Sequence, residues 1–374
     1  MIRHSSAFAI AGMLLTASLA QAQVLEYSVQ TYAPLPRYGP ANSPHEWFPR
    51  GILPDGTLVV NTFWQPSVPD TENSAIALIS PASATRLAGS DGTPLLWARA
   101  SAVEAGGVIH VQGRLPNSSE SSHTWRDGEF GTQQAALGIS QHDVIDVSAA
   151  GHVLATNFLE YPFRSQVRLQ GLSTQVPFMG DSPFFNWPRA INNTGTVVGG
   201  FTLGSEFFGY TANGSTVTVL DFPVAFDSPW VFGSFGMSDI NDAGWAAGLF
   251  AFSNQTASLA QTVLWRESER ILLPARALTP FEPQLDNLGT LLSADDTSPY
   301  LWRDGQLVRM TDLAHPSFAG TLVSLDRLEP DGRVIGQAIL DGQRVAVVLT
   351  PVPGPGGTVL GAIGLLIAAR RARR

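Results

Sequence analysis

The 374 residues include no cysteine and no lysine, and 31 acidic against 22 basic residues leave a net charge of −9. Without cysteine there is no disulfide framework, no thiol nucleophile and no Cys-ligated zinc. Arg3 and the four arginines among the last five positions sit at the two ends, so the body between them is more acidic still. That balance argues against nucleic acid as a partner and for solubility outside the cell.

Residues 1–22 are laid out like a secretory signal peptide. A short basic start (Arg3, His4) leads into an apolar stretch from Ala7 to Leu19, and Ala20-Gln21-Ala22 forms a small-x-small cleavage site before Gln23. Signal peptidase and the secretion machinery are the partners this implies. Strand text begins at once with Val24 to Gln30, which lies ahead of the repeats and has no partner of its own.

Residues 23–350 repeat one short phrase: apolar, polar, turn, Gly, any residue, then two apolar residues. Its glycines are Gly56, Gly106, Gly151, Gly195, Gly244, Gly289 and Gly332, between 43 and 50 residues apart. The cleanest copies are Ile191-Asn192-Asn193-Thr194-Gly195-Thr196-Val197-Val198-Gly199 and Ile240-Asn241-Asp242-Ala243-Gly244-Trp245-Ala246-Ala247-Gly248. A short Asn/Asp/Gly loop between apolar runs signals a hairpin, with glycine supplying the positive φ that closes it. Most repeats carry a second hairpin, read in Tyr300-Leu301-Trp302-Arg303-Asp304-Gly305, Trp125-Arg126-Asp127-Gly128 and Trp265-Arg266. Two hairpins make four strands, and this period with strand text predicts an all-β propeller of seven four-stranded blades. The tryptophans read as packing between blades and the arginines as solvent-facing.

The middle of the chain is rich in aromatic residues: Phe184, Phe185, Trp187, Phe207, Phe208, Trp230 and Phe232. If the loops carrying Phe184, Phe185, Trp187, Trp230 and Phe232 share a face, they form a stacking surface for a sugar or a partner; otherwise they are ordinary buried strand residues. No catalytic spacing stands out: there is no nucleophile elbow, zincin helix, phosphate loop or calcium loop. No catalytic residue, cofactor or metal is expected. The histidines are scattered, with His110 and His152 at strand positions after a repeat glycine, where packing or surface roles are expected. Asp295 and Asp296 read as a solvated loop.

Blade seven has three strands of text, Leu322 to Leu328, Arg333 to Leu340 and Arg344 to Thr350, before Pro351 and Pro353 stop it. The orphan strand Val24 to Gln30 is therefore expected beside Arg344 to Thr350, closing the ring and covering an open edge. Residues 351–374 form a third part. After Val352-Pro353-Gly354-Pro355-Gly356-Gly357, an apolar run from Thr358 to Ala369 ends in Arg370, Arg371, Arg373 and Arg374. As helix those twelve residues reach roughly 18 Å, short of the ~30 Å hydrocarbon core, with a positive stop on the cytoplasmic side.

This tail resembles the PEP-CTERM sorting signal of Gram-negative bacteria. Val352-Pro353-Gly354-Pro355 is similar to its Val-Pro-Glu-Pro motif, with Gly354 in place of Glu, followed by the apolar segment and the arginines. The resemblance implies processing by an exosortase. Gly356-Gly357 equally resembles a GlyGly-CTERM signal, which implies a rhomboid-type protease. A tail anchor that is never cut is the third reading. The repeats are similar to the extracellular HAF repeat family, best in Ile191 to Gly199 and Tyr300 to Gly305, which implies a secreted β-rich protein. These readings point to a surface-sorted propeller that binds, or helps to build, the cell envelope or extracellular matrix, with extracellular polysaccharide as one partner. A rival reading is a secreted glycan-processing hydrolase or lyase with its site at the central channel. The rival needs acids, His or Arg from several blades to converge on the channel mouth; binding needs an exposed aromatic or acidic patch on one face.

Overall fold

The computed structural model of the chain describes residues 27–37, 45–64, 74–89, 92, 95, 97–113, 122–132, 143–157, 164–169, 172–177, 186–203, 206–220, 231–253, 258–267, 269–273, 276–277, 281–295, 298–314 and 316–352. The signal-peptide stretch and the sorting tail from Pro353 onward lie outside them. The described chain forms seven antiparallel sheets arranged as a seven-bladed propeller.

The strands run from the channel outward in each blade. Blade 1 is His45–Ile52, Leu58–Trp64, Ser74–Ile79 and Ala84–Arg86, and blade 4 is Asn186–Ile191, Val197–Leu203, Glu206–Asn213 and Thr216–Leu220. The inner strands of the other blades are Ala98–Val103, Asp143–Val147, Val231–Ile240, Gln284–Leu285 and Thr321–Leu328. Blade 5 carries an extra short strand, Arg276–Ala277, paired with its third strand Ser258–Arg266. One helical turn, α1 (Met310–Leu313), links blade 6 to blade 7 and buries Met310 and Leu313.

The paired apolar residues of the repeat phrase build the ring. Successive strand residues point to opposite faces, so each member of the pair serves a different neighbour. Val197 packs in a cluster with Leu154 of blade 3, while Val198 packs with Met237 of blade 5. Val334 and Ile335 divide in the same way between the cluster shared with blade 6 and the one shared with blade 1. Every neighbouring pair of blades has such a cluster, including blade 7 with blade 1. A strand buried on both faces therefore opens on a run of apolar residues, as Leu58-Val59-Val60 does in the strand Leu58–Trp64.

Each repeat glycine closes the turn between the first and second strands. Gly195, at φ 78°, donates its N–H to the Asn192 carbonyl at 3.0 Å, a conformation that favours glycine. In blade 2 the glycine that does this is Gly107, not Gly106. Gly107 has φ 82° and donates to Glu104, while Gly106 stands one place earlier in the turn. Two adjacent glycines hide which of them turns left-handed, because only the hydrogen-bond register distinguishes them. The second glycine of the phrase has another cause: a Cβ on Gly248 would lie 2.6 Å from the Gly236 carbonyl oxygen of the inner strand. Gly199 and Gly336 meet the carbonyls of Trp187 and Ser324 in the same way.

The expected ring closure is present. Tyr27–Pro34 is the outer strand of blade 7, in register Tyr27↔Pro351 through Pro34↔Val345 beside Gln343–Pro351. Tyr27 is buried in the cluster between blades 6 and 7, while Tyr32, Ala33 and Leu35 pack in the cluster with blade 1. The hairpin tryptophans also pack as expected. Trp265 is buried between blades 4 and 5, and Trp125 and Trp302 pack against the clusters between blades 1 and 2 and blades 5 and 6. Arg126 and Arg266 are exposed, and Arg303 is half-buried. Asp127-Gly128 and Asp304-Gly305 both take positive φ, the tight hairpin turn that this dipeptide favours.

Candidate functional site at one mouth of the central channel

Six of the seven inner strands carry a β-bulge, and it falls at the same place each time. The register slips between Pro49 and Gly51, Ala100 and Ala102, Val144 and Asp146, Pro188 and Ala190, Met237 and Asp239, and Leu325 and Arg327. The extra residues are Arg50, Ser101, Ile145, Arg189, Ser238 and Asp326, each six positions before the turn glycine of its blade. A bulge bends its strand and re-aims side chains next to it. Here it brings polar residues to the channel wall just inside the mouth formed by the glycine turns.

Residues from all seven blades line a cavity of about 580 Å³ at that mouth. Its charged wall includes Arg50 of blade 1, Asp146 of blade 3, Arg189 of blade 4, Asp239 of blade 5, Glu282 of blade 6, and Arg327 and Glu329 of blade 7. Glu104, Asp242, Asp331 and Arg333 also line it, so acids outnumber arginines. Arg327 Nε lies 2.8 Å from Glu329 Oε1, and an Arg189 guanidinium nitrogen lies 3.4 Å from Glu282 Oε1.

Both channel aspartates also bind neighbouring blades together. Asp146 accepts the Ile191 N–H at 2.9 Å and Asp239 accepts the Leu285 N–H at 2.7 Å. Gln284 continues the pattern, accepting the Leu328 N–H at 2.8 Å. Burial pushes the Asp239 carboxyl up to about 7, with the nearby Asp146 charge adding to it, against the pull of backbone N–H groups and Arg327. Burial raises Asp146 as well, partly offset by its bond from Ile191. For Arg327, burial works to lower the guanidinium, but Glu329, Asp146 and Asp239 outweigh it and hold it above its usual value. Arg50 goes the other way: burial, then the like charges of Arg327 and Arg99, bring it down to about 10. The wall thus sets two acids of raised proton affinity opposite guanidinium groups in a partly desolvated space, where hydrogen bonds to a polar ligand are stronger than in water.

The sequence-predicted aromatic surface fares differently. Phe184, Phe185 and Trp230 lie outside the described residues, as does the side chain of Phe232. Trp187 is half-buried on the inner strand of blade 4. Phe208 stacks on Phe201, ring centroids 5.3 Å apart, against the cluster between blades 3 and 4. Of the sorting motif, Val352 is exposed just beyond the last strand, and Pro353, Gly354, Pro355 and the terminal arginines are outside the described residues. Asp295 pairs with Arg309 at 2.7 Å, and His110 is buried with Nε2 2.7 Å from Glu104 Oε1.

The channel residues went unnoticed in the sequence, yet a signal for them was there. Aligned on the turn glycines, the fifth position before the glycine reads Gly51, Ala102, Asp146, Ala190, Asp239, Gln284 and Arg327. Polar residues in four blades at a place where the others keep Gly or Ala mark a surface that no neighbouring blade covers.

No protein-family model matches the chain, and no curated protein is significantly similar to it. Several solved structures are similar to it over most of their length at low identity. An alpha-L-arabinanase of Penicillium chrysogenum complexed with arabinobiose is 11% identical, over 87% of this chain and 98% of that one, with a TM-score of 0.37. Virginiamycin B lyase from Staphylococcus aureus is 9% identical over 83% and 100% of the two chains, with a TM-score of 0.41. YCF48 from Cyanidioschyzon merolae is 9% identical over 85% and 98%, with a TM-score of 0.43. At these identities the likeness is one of fold alone.

Proposed function

We propose that this chain is an exported propeller, sorted to the cell surface through its two end segments, that binds a polar saccharide at the charged mouth of its channel as a component of the envelope or extracellular matrix. The observation that carries the binding role is the convergence of Arg50, Asp146, Asp239, Arg327 and Glu329, from blades 1, 3, 5 and 7, on one cavity of about 580 Å³. A cavity of that size suits a small polar ligand. Its alternating acceptors and donors match the hydroxyls of a sugar. The export reading rests on the signal-peptide layout of residues 1–22 and the apolar, arginine-ended tail.

Titrating the full-length protein with a panel of oligosaccharides, read by thermal shift and calorimetry, tests the binding role. A saccharide that raises the melting temperature, and does so less in Asp146→Asn or Asp239→Asn, supports it; a panel with no binder overturns it. Intact mass of protein taken from the native surface tests sorting, which expects loss of residues 1–22 and cleavage or anchoring after about Gly354; a soluble species ending at Arg374 counts against it.

One observation favours a second reading, a glycan-processing enzyme. Asp239, raised to about 7, is poised to hold a proton at neutral pH near a second carboxylate, Asp146. Two carboxyls of raised proton affinity at one cavity are the kind of acid–base pair used in glycoside cleavage. Release of reducing ends from a bound oligosaccharide, abolished in Asp239→Asn, is its signature.

A further inference from the structure

Among the arginines that line the channel mouth, Arg50 stands apart. Arg327, Arg189 and Arg333 each face a carboxylate, Glu329, Glu282 and Asp331 respectively. Arg50 makes no ion pair and no side-chain hydrogen bond among the described residues, and its Nε is buried without a partner. Its neighbours work against it: Arg327 and Arg99 are close enough for their charge to disfavour its own, with only Glu282 acting in its favour. Held on a bulge between Pro49 and Gly51, it lines the same cavity as Asp146 and Asp239. A partly buried guanidinium with no ion-pair partner among the described residues is costly for the protein alone, and a bound anion would offset that cost.

We propose that Arg50 anchors the carboxylate of an acidic sugar, so that the saccharide taken by this site is a uronate. This rests on the saccharide-binding reading above and narrows it. A planar carboxylate fits the guanidinium fork with two parallel hydrogen bonds. A single negative charge also suits a wall that carries Asp146, Asp239 and Glu329, which repel a dianion such as phosphate or a sulfate. Asp146 and Asp239 then face the sugar's hydroxyls as acceptors.

The test is calorimetric titration of the full-length protein with glucuronate and a glucuronate-containing oligosaccharide, beside glucose, the matching neutral oligosaccharide and inorganic sulfate. Uronate ligands should bind at least ten-fold more tightly than neutral ones, and sulfate should not compete. Arg50→Lys, which keeps the charge but loses the fork, should lose roughly ten-fold in uronate affinity, and Arg50→Gln should lose the preference for uronate over neutral sugar. Melting curves of both variants verify that they are folded, and Arg50→Lys keeps the test open if Arg50→Gln is not. Equal binding of uronate and neutral sugar, or an Arg50→Lys protein that binds uronate unchanged, overturns the proposal while leaving saccharide binding at the mouth intact. Sulfate competing as well as uronate replaces it with a general anion site. If neither acidic nor neutral sugar binds, both this proposal and the saccharide reading fail.

Discussion

The side-chain amide of Asn241 donates to the main-chain oxygen of Asp286, 45 residues further along the chain, at 3.0 Å. Its Oδ1 meanwhile accepts the Trp245 N–H that closes its own turn. Asn192 does the same one blade earlier, donating to the Asn241 carbonyl at 3.0 Å and accepting from Thr194 and Thr196. The asparagine of the repeat phrase thus shapes its own turn with one atom and holds the next blade with the other. A second relay runs beside it, with Asn193 Nδ2 donating to Asp242 Oδ2 and the Asp242 N–H donating to Asn287 Oδ1.

Asn241→Ala should therefore cost more than an ordinary turn substitution. It leaves the Trp245 N–H without its side-chain acceptor and removes the bond to blade 6, a loss of about 2–3 kcal/mol by the usual penalty for buried unsatisfied groups. Chemical denaturation would measure it. An exposed turn position such as Ala243→Ser should change stability by less than ~0.5 kcal/mol in the same assay.

Blade 6 departs from blades 4 and 5 in a way that predicts a gain. Asp286 occupies the asparagine position, and its Oδ1 accepts from Leu288 and Thr290 as an asparagine would. Its Oδ2, where the donating amide would be, is buried with no partner, and burial raises the carboxyl. Asp286→Asn should restore a donor toward the Glu329 carbonyl of blade 7 and stabilise the protein by about 1 kcal/mol. A lower melting temperature at pH 8 would refute this account of the position.

The raised carboxyls give the fold a definite pH dependence. Asp239 is held at about 7 against an ordinary value of 3.8, so the folded state binds more protons than the unfolded chain between those values. Stability from this site therefore falls as pH climbs from about 4 to about 7. Asp146, Asp286 and Asp326 are shifted in the same direction. The protein should resist urea better at pH 5 than at pH 8, and Asp239→Asn should flatten that slope. The slope is the quantity to compare, since the amide has one acceptor oxygen for the Leu285 and Ile240 N–H groups that the two carboxylate oxygens of Asp239 accept.

Removing residues 27–34 should lower the melting temperature of the whole ring. The deletion exposes the edge of Gln343–Pro351 and takes Tyr27, Tyr32 and Ala33 out of the clusters on both sides of blade 7. A single cooperative transition at lower temperature is expected. A two-step melt in which only blade 7 is lost would mean that the ring does not depend on this strand.

Much of the architecture could be read directly from the sequence because it is written in local rules. A turn glycine and a following apolar pair recur in most blades, joined in blades 4 and 5 by an asparagine, and each acts on neighbours within a few residues or on the adjoining blade. The shortage of a fourth strand before Pro351 pointed to closure by the chain start, since an open edge in a ring has one free strand to take. Even the choice between Gly106 and Gly107 needed the hydrogen-bond register, and the second glycine of the phrase showed its cause only against the inner-strand carbonyl. The channel mouth was decided by tertiary structure, with only the polar fifth position before the glycine in four blades to hint at it. Arg50, Asp146, Asp239 and Arg327 are spread across nearly the whole propeller sequence and share no motif. A bulge six residues before the turn glycine in six blades turns their strands, and closure of seven blades brings those strands to one axis. Charge at such a point is a sum over distant segments; the ring has to close before Asp239 has Asp146 and Arg327 for neighbours rather than water.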